Sequence, residues 1–242
     1  MGKHIIDVIY NKKKDHLSSI YRILKIASIY DNPLDKEVLL ILDALENKAT
    51  RSNDYISNLL RLIMPMNPYE WITSKHPMFS FASESGNRTL GQTVLLKHIY
   101  EPISRLVEIY KEYGSMQSYC KSKLPIHPQV AIYQALYGMD GNIDYEHIGI
   151  ARAVMILTRK NDTAGLGIWN IIKEKELRIP INRYILSSAR SFKLINGSKN
   201  AEKELFKRLL KLDKKDPLKY IAILEDGTVQ TQAKNMGYVI TT

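Results

Sequence analysis

The chain has a single cysteine, Cys120, in 242 residues. No internal disulfide framework is open to it, and a reducing, cytoplasmic setting is expected. Long apolar runs are missing too. No stretch approaches the roughly 20 residues needed to cross a bilayer, so no membrane role is expected. The opening MGKHIIDVIYNKKK lacks a long apolar core and a small-residue cleavage site, and no secretory signal is read there. The histidines, His4, His16, His76, His98, His127 and His147, stand singly, without the spacing of a metal site. No metal and no cofactor are expected, and a four-cysteine iron–sulfur cluster cannot be built. Neither a G-x-x-x-x-G-K-[ST] phosphate loop nor a G-x-G-x-x-G fingerprint occurs, which leaves nucleotide hydrolysis without support.

What is present is an excess of cations. Lys and Arg number 35 against 25 Asp and Glu, for a net charge of +10 and a pI near 9.4. Such a surface concentrates polyanions and supports salt-sensitive phosphate binding. A lysine-rich surface that only solubilises is the alternative. Hydrophobic content of 45 % is that of an ordinary globular chain with a sizeable core.

Helical periodicity dominates. Ile20, Ile23, Leu24 and Ala27 recur at three and four residues, as do Val38, Leu39, Leu42 and Leu45, and then Ile56, Leu59, Leu60 and Ile63. Asn32 before Pro33 reads as an N-cap with proline at the first helical position. Pro65 ends the third stripe, and residues 73–87, rich in Ser, Gly, His and Pro, read as a loop. A long helix is expected from Thr89 to Tyr113, kinked or split at Pro102, with Ser115 capping a short helix after it. Further helices are expected at 128–137, 143–158 and 168–175, and from Pro180 to Phe192. Two more follow, one capped by Ser198 with Leu205, Leu209 and Leu212 inward, the other from Asp216-Pro217 to Asp226-Gly227. The fold class is all-α. One two-lobed domain is expected over 1–227, with a cleft between its lobes, and a tail over 228–242.

Several short signatures stand in a fixed order: Asn67-Pro68-Tyr69-Glu70-Trp71-Ile72, Tyr110-Lys111-Glu112-Tyr113-Gly114-Ser115-Met116, and Ile150-Ala151-Arg152 through Arg159-Lys160-Asn161-Asp162. Leu166-Gly167-Ile168-Trp169, Ile179-Pro180-Ile181-Asn182-Arg183-Tyr184 and Asp216-Pro217-Leu218-Lys219-Tyr220 complete the series. Together they resemble an uncharacterised family within the helix-hairpin-helix DNA glycosylase superfamily, over roughly residues 34–224. The resemblance implies a two-lobed helical glycosylase fold, a monomer, and duplex DNA, intact or damaged, as the partner. It also implies a role in base excision repair or damage recognition; if catalytic, the protein would be a monofunctional N-glycosylase. The aspartate that carries the family's chemistry falls at Asn182, and the histidine two residues on at Tyr184. The lysine that forms a Schiff base in bifunctional members is missing, because Ile168 and Trp169 follow Gly167.

A glycosylase needs a carboxylate to stabilise an oxocarbenium-like sugar and to activate water. Asn182 can orient a water, or simply bond the backbone amides of a helix start; Glu174, Glu176 or Asp162 can stand in as the carboxylate. The turn Gly165-Leu166-Gly167 permits close approach and can present backbone N–H groups to a phosphate, with Lys160 beside it. Arg183 and Arg190, seven apart on one helix, can reach a DNA backbone. Lys203, Lys207 and Lys211 form a second stripe, which equally reads as a solvated face. Trp169 and Tyr184 can line a base pocket, or serve as core and boundary residues. Two other readings stay open: a DNA- or RNA-binding module without catalysis, and a basic helical interaction protein with no nucleic-acid role.

Overall fold

The computed structural model describes residues 4–49, 66–74, 93–138, 148–196 and 200–226. Helices run over Ile5–Lys13 (α1), Arg22–Ala27 (α2), Pro33–Ala49 (α3), Pro68–Thr73 (α4), Thr93–Tyr113 (α5), Met116–Ser122 (α6) and Pro128–Tyr137 (α7). Ile148–Thr158 (α8), Arg183–Ser191 (α9), Ala201–Leu212 (α10) and Ile221–Glu225 (α11) follow, with tighter 3-10 turns at Lys14–Ile20, Glu174–Glu176 and Pro217–Tyr220. Every regular element among the described residues is helical, so the all-α reading holds. Among them no helix is long and apolar enough to cross a membrane.

Local chemistry sets several boundaries where the sequence places them. Asn32 Oδ1 accepts from Leu34 N at 3.0 Å and opens α3 at Pro33. Ser115 Oγ accepts from Ser118 N at 3.0 Å and opens α6. Gly138, at φ +67°, closes α7 in the left-handed conformation that glycine adopts without strain. Other expectations are corrected. Of the two outcomes expected at Pro102, the split does not occur: α5 runs as one helix through it and packs against α3, α4, α6 and α7. That packing outweighs the backbone hydrogen bond a proline removes. No α-helix forms over 168–175, and α9 begins at Arg183 rather than at Pro180. Helix α10 starts after Asn200. The stripe at 56–63, most of the 73–87 loop, residues 143–147, Ser198 and the tail 228–242 lie outside the described residues.

The chain divides into two compact units, residues 1–25 with 154–242, and residues 26–153. The first 25 residues thus belong with the C-terminal part, not with the helices that follow them.

In the 26–153 unit, α3 is the central element, with Val38, Leu39, Leu40, Ile41, Leu42 and Leu45 all buried. Its two buried acids cap other helices. Asp35 Oδ1 accepts from Tyr69 N at 2.8 Å, serving α4, whose own N-cap Asn67 makes no side-chain cap bond. Glu37 Oε1 accepts from Met116 N at 2.7 Å, the first amide of α6, and from Tyr110 Oη at 2.7 Å. A helix start presents unpaired N–H groups and a positive dipole end, so a buried carboxylate finds both hydrogen bonds and favourable charge there. Burial, then the Glu37 charge, pushes the Tyr110 hydroxyl well above its ordinary pKa and keeps it a donor. Helix α8 closes on α3 through Gly149, where a Cβ would stand 2.5 Å from the Ala44 carbonyl oxygen.

In the other unit, Ile6, Ile9 and Tyr10 of α1 are buried together with Val154 to Leu157, Ile185, Ala189, Leu205, Leu209 and the run Tyr220 to Leu224. Leu205 and Leu209 face inward as expected, while Leu212 is only half-buried.

Glu37→Ala is expected to orphan two buried donors, the Tyr110 hydroxyl and the Met116 amide, at about 1–3 kcal/mol each. Glu37→Gln retains an oxygen that can accept both bonds and should cost much less. Thermal melts of the two variants against the parent chain measure the difference.

Candidate functional site

A cluster of adjoining polar side chains fixes the geometry around the glycine turn. Arg159 is wholly buried one residue past the end of α8. Asp216 takes its guanidinium in a two-pronged grip, with Nε donating to Oδ1 at 3.0 Å and Nη2 to Oδ2 at 3.0 Å. Asp162 Oδ2 accepts from Nη2 at 2.5 Å and from Tyr10 Oη at 3.0 Å, while Asn161 Nδ2 donates to Asp216 at 3.2 Å. Burial works to lower the Arg159 pKa, but the two carboxylates outweigh it and hold the pKa above its ordinary value. Burial and the neighbouring Asp162 charge likewise push the Tyr10 hydroxyl up, so it stays protonated.

A second cluster extends this one. Tyr220 Oη donates to Asp7 Oδ1 at 2.8 Å, and Lys219 Nζ to Asp213 Oδ2 at 2.8 Å. The Lys219 ammonium lies 4.7 Å from the Tyr10 ring centre and 4.9 Å from that of Tyr220. Burial alone would raise the Asp213 pKa, but the Lys219 bond and two backbone amides hold it below the usual carboxylate range.

Residues 159–167 wrap over the Arg159 cluster. Ala164 N donates to Asp162 Oδ1 at 2.9 Å, Gly165 N to Asp162 O at 3.3 Å, and Leu166 N to Ile156 O at 2.7 Å. Trp169 N reaches Leu157 O at 2.9 Å, so the last carbonyls of α8 are met by the returning chain. This is why 168–175 does not form a helix: its first part is stretched back along α8. The glycines answer steric needs. A Cβ on Gly165 would collide with the Arg159 carbonyl, and one on Gly167, at φ +61°, with Lys160 Cβ. The amides of Ala164 and Gly165 are bonded to Asp162 within the turn and that of Leu166 to α8, so those three cannot also cradle a phosphate. Lys160 itself is exposed, and Trp169 is 3 % exposed.

A separate group gathers at the start of α9. Asn182 is the N-cap, its Oδ1 accepting from Ile185 N at 2.8 Å. Its Nδ2 donates to Glu225 Oε1, also at 2.8 Å, at the end of α11. This cap sets the helix start at Arg183, because Asn182 in extended backbone is the better cap and Pro180 stays buried ahead of it. Arg183 and Tyr184 both face solvent, Tyr184 at 57 % exposure. The guanidinium carbon of Arg183 sits 4.8 Å from the Tyr184 ring centre, and Nη2 donates to the hydroxyl at 2.8 Å. Arg190 is exposed two turns on, and so are Lys203, Lys207 and Lys211 of α10. Next to Glu225, Asp226 Oδ2 pairs with Lys13 Nζ at 2.7 Å.

The residues singled out from sequence thus fall into two groups: Lys160, Gly165, Leu166, Gly167 and Trp169 at the turn, and Asn182, Arg183, Tyr184 and Arg190 on α9. Sequence reasoning missed the partners. Tyr10 and Glu225 carry no local signal, and Asp216 reads as a helix cap yet makes no side-chain cap bond. Among the described residues no three His, Cys, Asp or Glu side chains meet in a way that could hold a metal ion.

These features define an all-helical protein with a charged buried knot beneath a glycine turn. The sequence matches the family described as protein of unknown function (DUF2400) over residues 24–225, and the chain belongs to that family. No curated protein and no solved structure matches it.

Asp216→Asn is expected to break the two-pronged grip and leave the Arg159 charge under-compensated, at about 3–5 kcal/mol of stability, the usual cost of breaking a buried pair. Urea denaturation at neutral pH checks this; a loss below about 1 kcal/mol would mean the pair is not the anchor described.

Proposed function

We propose that the protein binds DNA on a helix-hairpin-helix glycosylase-type scaffold, as a monomer in the cytoplasm, in base excision repair or damage recognition. The observation that carries this reading is the exposed edge of α9. A capped helix start is followed by a solvent-facing Arg183 stacked on Tyr184, with Arg190 exposed two turns further on. Arginines supply phosphate contacts that are indifferent to sequence, and an exposed aromatic face suits an unstacked base. The net charge of +10 supports the same partner. Since the amides of the glycine turn are largely engaged within it, contact there falls to the Lys160 side chain. In the catalytic form of the reading, the protein hydrolyses the base–sugar bond without a metal and without a Schiff base.

A second reading, a DNA- or RNA-recognition module without excision, is favoured by one observation. Both polar atoms of Asn182, at the family's aspartate position, are already bonded within the protein.

Fluorescence anisotropy with a labelled duplex tests the shared part. Affinity should fall steeply with salt, and Arg183→Ala with Arg190→Ala should flatten the slope of log K against log salt by about one for each phosphate no longer neutralised. The weakening should be similar across duplex sequences. An unchanged slope in the double variant would move the interface off α9, and no binding at low salt would sink the reading.

A further inference from the structure

The lysine row of α10 lies outside both groups of candidate residues. Lys203, Lys207 and Lys211 recur at every fourth residue and are exposed, as is Arg208 beside them. The other side of the helix is fixed, because Ala201, Leu205 and Leu209 are buried. Cations that serve this fold are spent on acids: Lys13 pairs with Asp226, Arg159 with Asp216 and Lys219 with Asp213. Among the described residues no acid pairs with a lysine of the row. Of the two acids on α10 itself, Glu204 accepts from the Asn196 amide at 3.2 Å, and Glu202 stands about a quarter-turn round from Lys203. Like charges four residues apart on a helix repel, and an external polyanion relieves that repulsion.

Helix α10 also adjoins the α9 face. Burial, then the Arg208 charge, holds the His4 pKa below its ordinary value, and the same ring donates to the Phe192 carbonyl at the end of α9. One imidazole therefore neighbours both Arg208 and the end of α9, where Arg190 and Lys193 are exposed. The burial pattern selects the anion. A lipid surface would need the apolar side of the helix, and Leu205 and Leu209 are at 0 % exposure. A phosphate backbone needs only the cations. From Lys203 to Lys211 the helix rises about 12 Å, and one DNA strand presents a charge about every 3.4 Å of its axis, so the row spans about three phosphates.

Resting on the DNA-binding part of the proposed function, we propose that α10 is a second phosphate-binding face, on which Lys203, Lys207 and Lys211 hold the backbone of the same DNA that α9 engages. Lysine meets phosphate as a point charge, so this face adds affinity and footprint without reading sequence.

The variant Lys203→Gln with Lys207→Gln and Lys211→Gln removes three charges and keeps good helix formers. Its control, Lys111→Gln with Lys121→Gln and Lys175→Gln, removes three exposed charges elsewhere and has the same net charge. Fluorescence anisotropy on a labelled duplex two helical turns long (about 20 base pairs) gives the slope of log K against log salt for each. The α10 variant should flatten that slope by about two to three, whereas the control should leave it nearly unchanged. Added to Arg183→Ala and Arg190→Ala, the α10 substitutions should flatten the slope further by the same amount, at one duplex per chain. Circular dichroism checks the helix; if the triple variant does not fold, Lys207→Gln alone should flatten the slope by about one. A slope that the α10 variant leaves unchanged, or that the control flattens equally, would overturn the proposal while duplex binding stands. Sedimentation with phosphatidylserine vesicles that depends on the row, beside an unchanged duplex slope, would overturn it in favour of a membrane. Failure of the wild type to bind the duplex at low salt would instead overturn the reading on which it rests.

Discussion

The buried Arg159 guanidinium is the constraint around which the 1–25 and 154–242 unit is arranged. A charge with no exposure to water is tolerable only when it is paired, and here Asp162, three residues on, and Asp216, 57 residues on, meet Nε and Nη2. Such a pair adds little net stability over a well-packed apolar substitute, because desolvation consumes most of the Coulomb gain. What it does is admit one geometry. Nε and Nη2 fit Asp216 in a planar fork, Nη2 also meets Asp162, and Asp162 in turn bonds Tyr10 of α1 and the amide of Ala164. The conformation of the glycine turn follows. The chain must double back past the Arg159 carbonyl, and only a residue without Cβ passes there.

The parts of this fold legible in the sequence are those set by neighbours along the chain. Helices α3, α6 and α7 begin where a capping side chain stands one residue before an apolar stripe, and each bond that fixes them spans two or three residues. The illegible parts are set by partners far away. Asp35 caps α4 across 34 residues, Glu37 caps α6 across 79, and Arg159 meets Asp216 across 57. An acid in the first turn of α3 reads locally as favourable to its own helix; nothing nearby says that it also serves another. The failure at 168–175 has the same origin. The local pattern allows a helix, but bonds back to Ile156 and Leu157 take the amides of Leu166 and Trp169.

The same accounting redistributes the candidate site. Glycines between helices suggest a backbone cradle, which requires N–H groups directed outward and unspent. Three of the turn's amides are already bonded, two within it and one to α8, and its glycines answer close packing at Gly165 and a left-handed backbone at Gly167. The polar groups that remain available to a partner are side chains: Lys160 at the turn and Arg183, Tyr184 and Arg190 on α9. Under the proposed function this shifts recognition from a rigid anion nest to flexible cations around one stacked aromatic. Such a surface binds phosphate without a fixed register and depends strongly on salt.

Asn182 draws these arguments together. Its position must satisfy an amide donor at Ile185 and a carboxylate acceptor at Glu225, 2.8 Å away on either side. An asparagine amide has one acceptor and one donor end and meets both demands at once. An aspartate could accept from Ile185 but would bring a second negative charge into hydrogen-bond range of Glu225. One of the two would then have to hold a proton, as in any carboxylate pair sharing a site. The amide is therefore the residue that meets both partners without setting a second carboxylate beside Glu225. Viewed along the chain, Asn182 reads only as the cap of α9; viewed in the fold, it also ties that helix start to Glu225, a side chain that no local pattern connects to it.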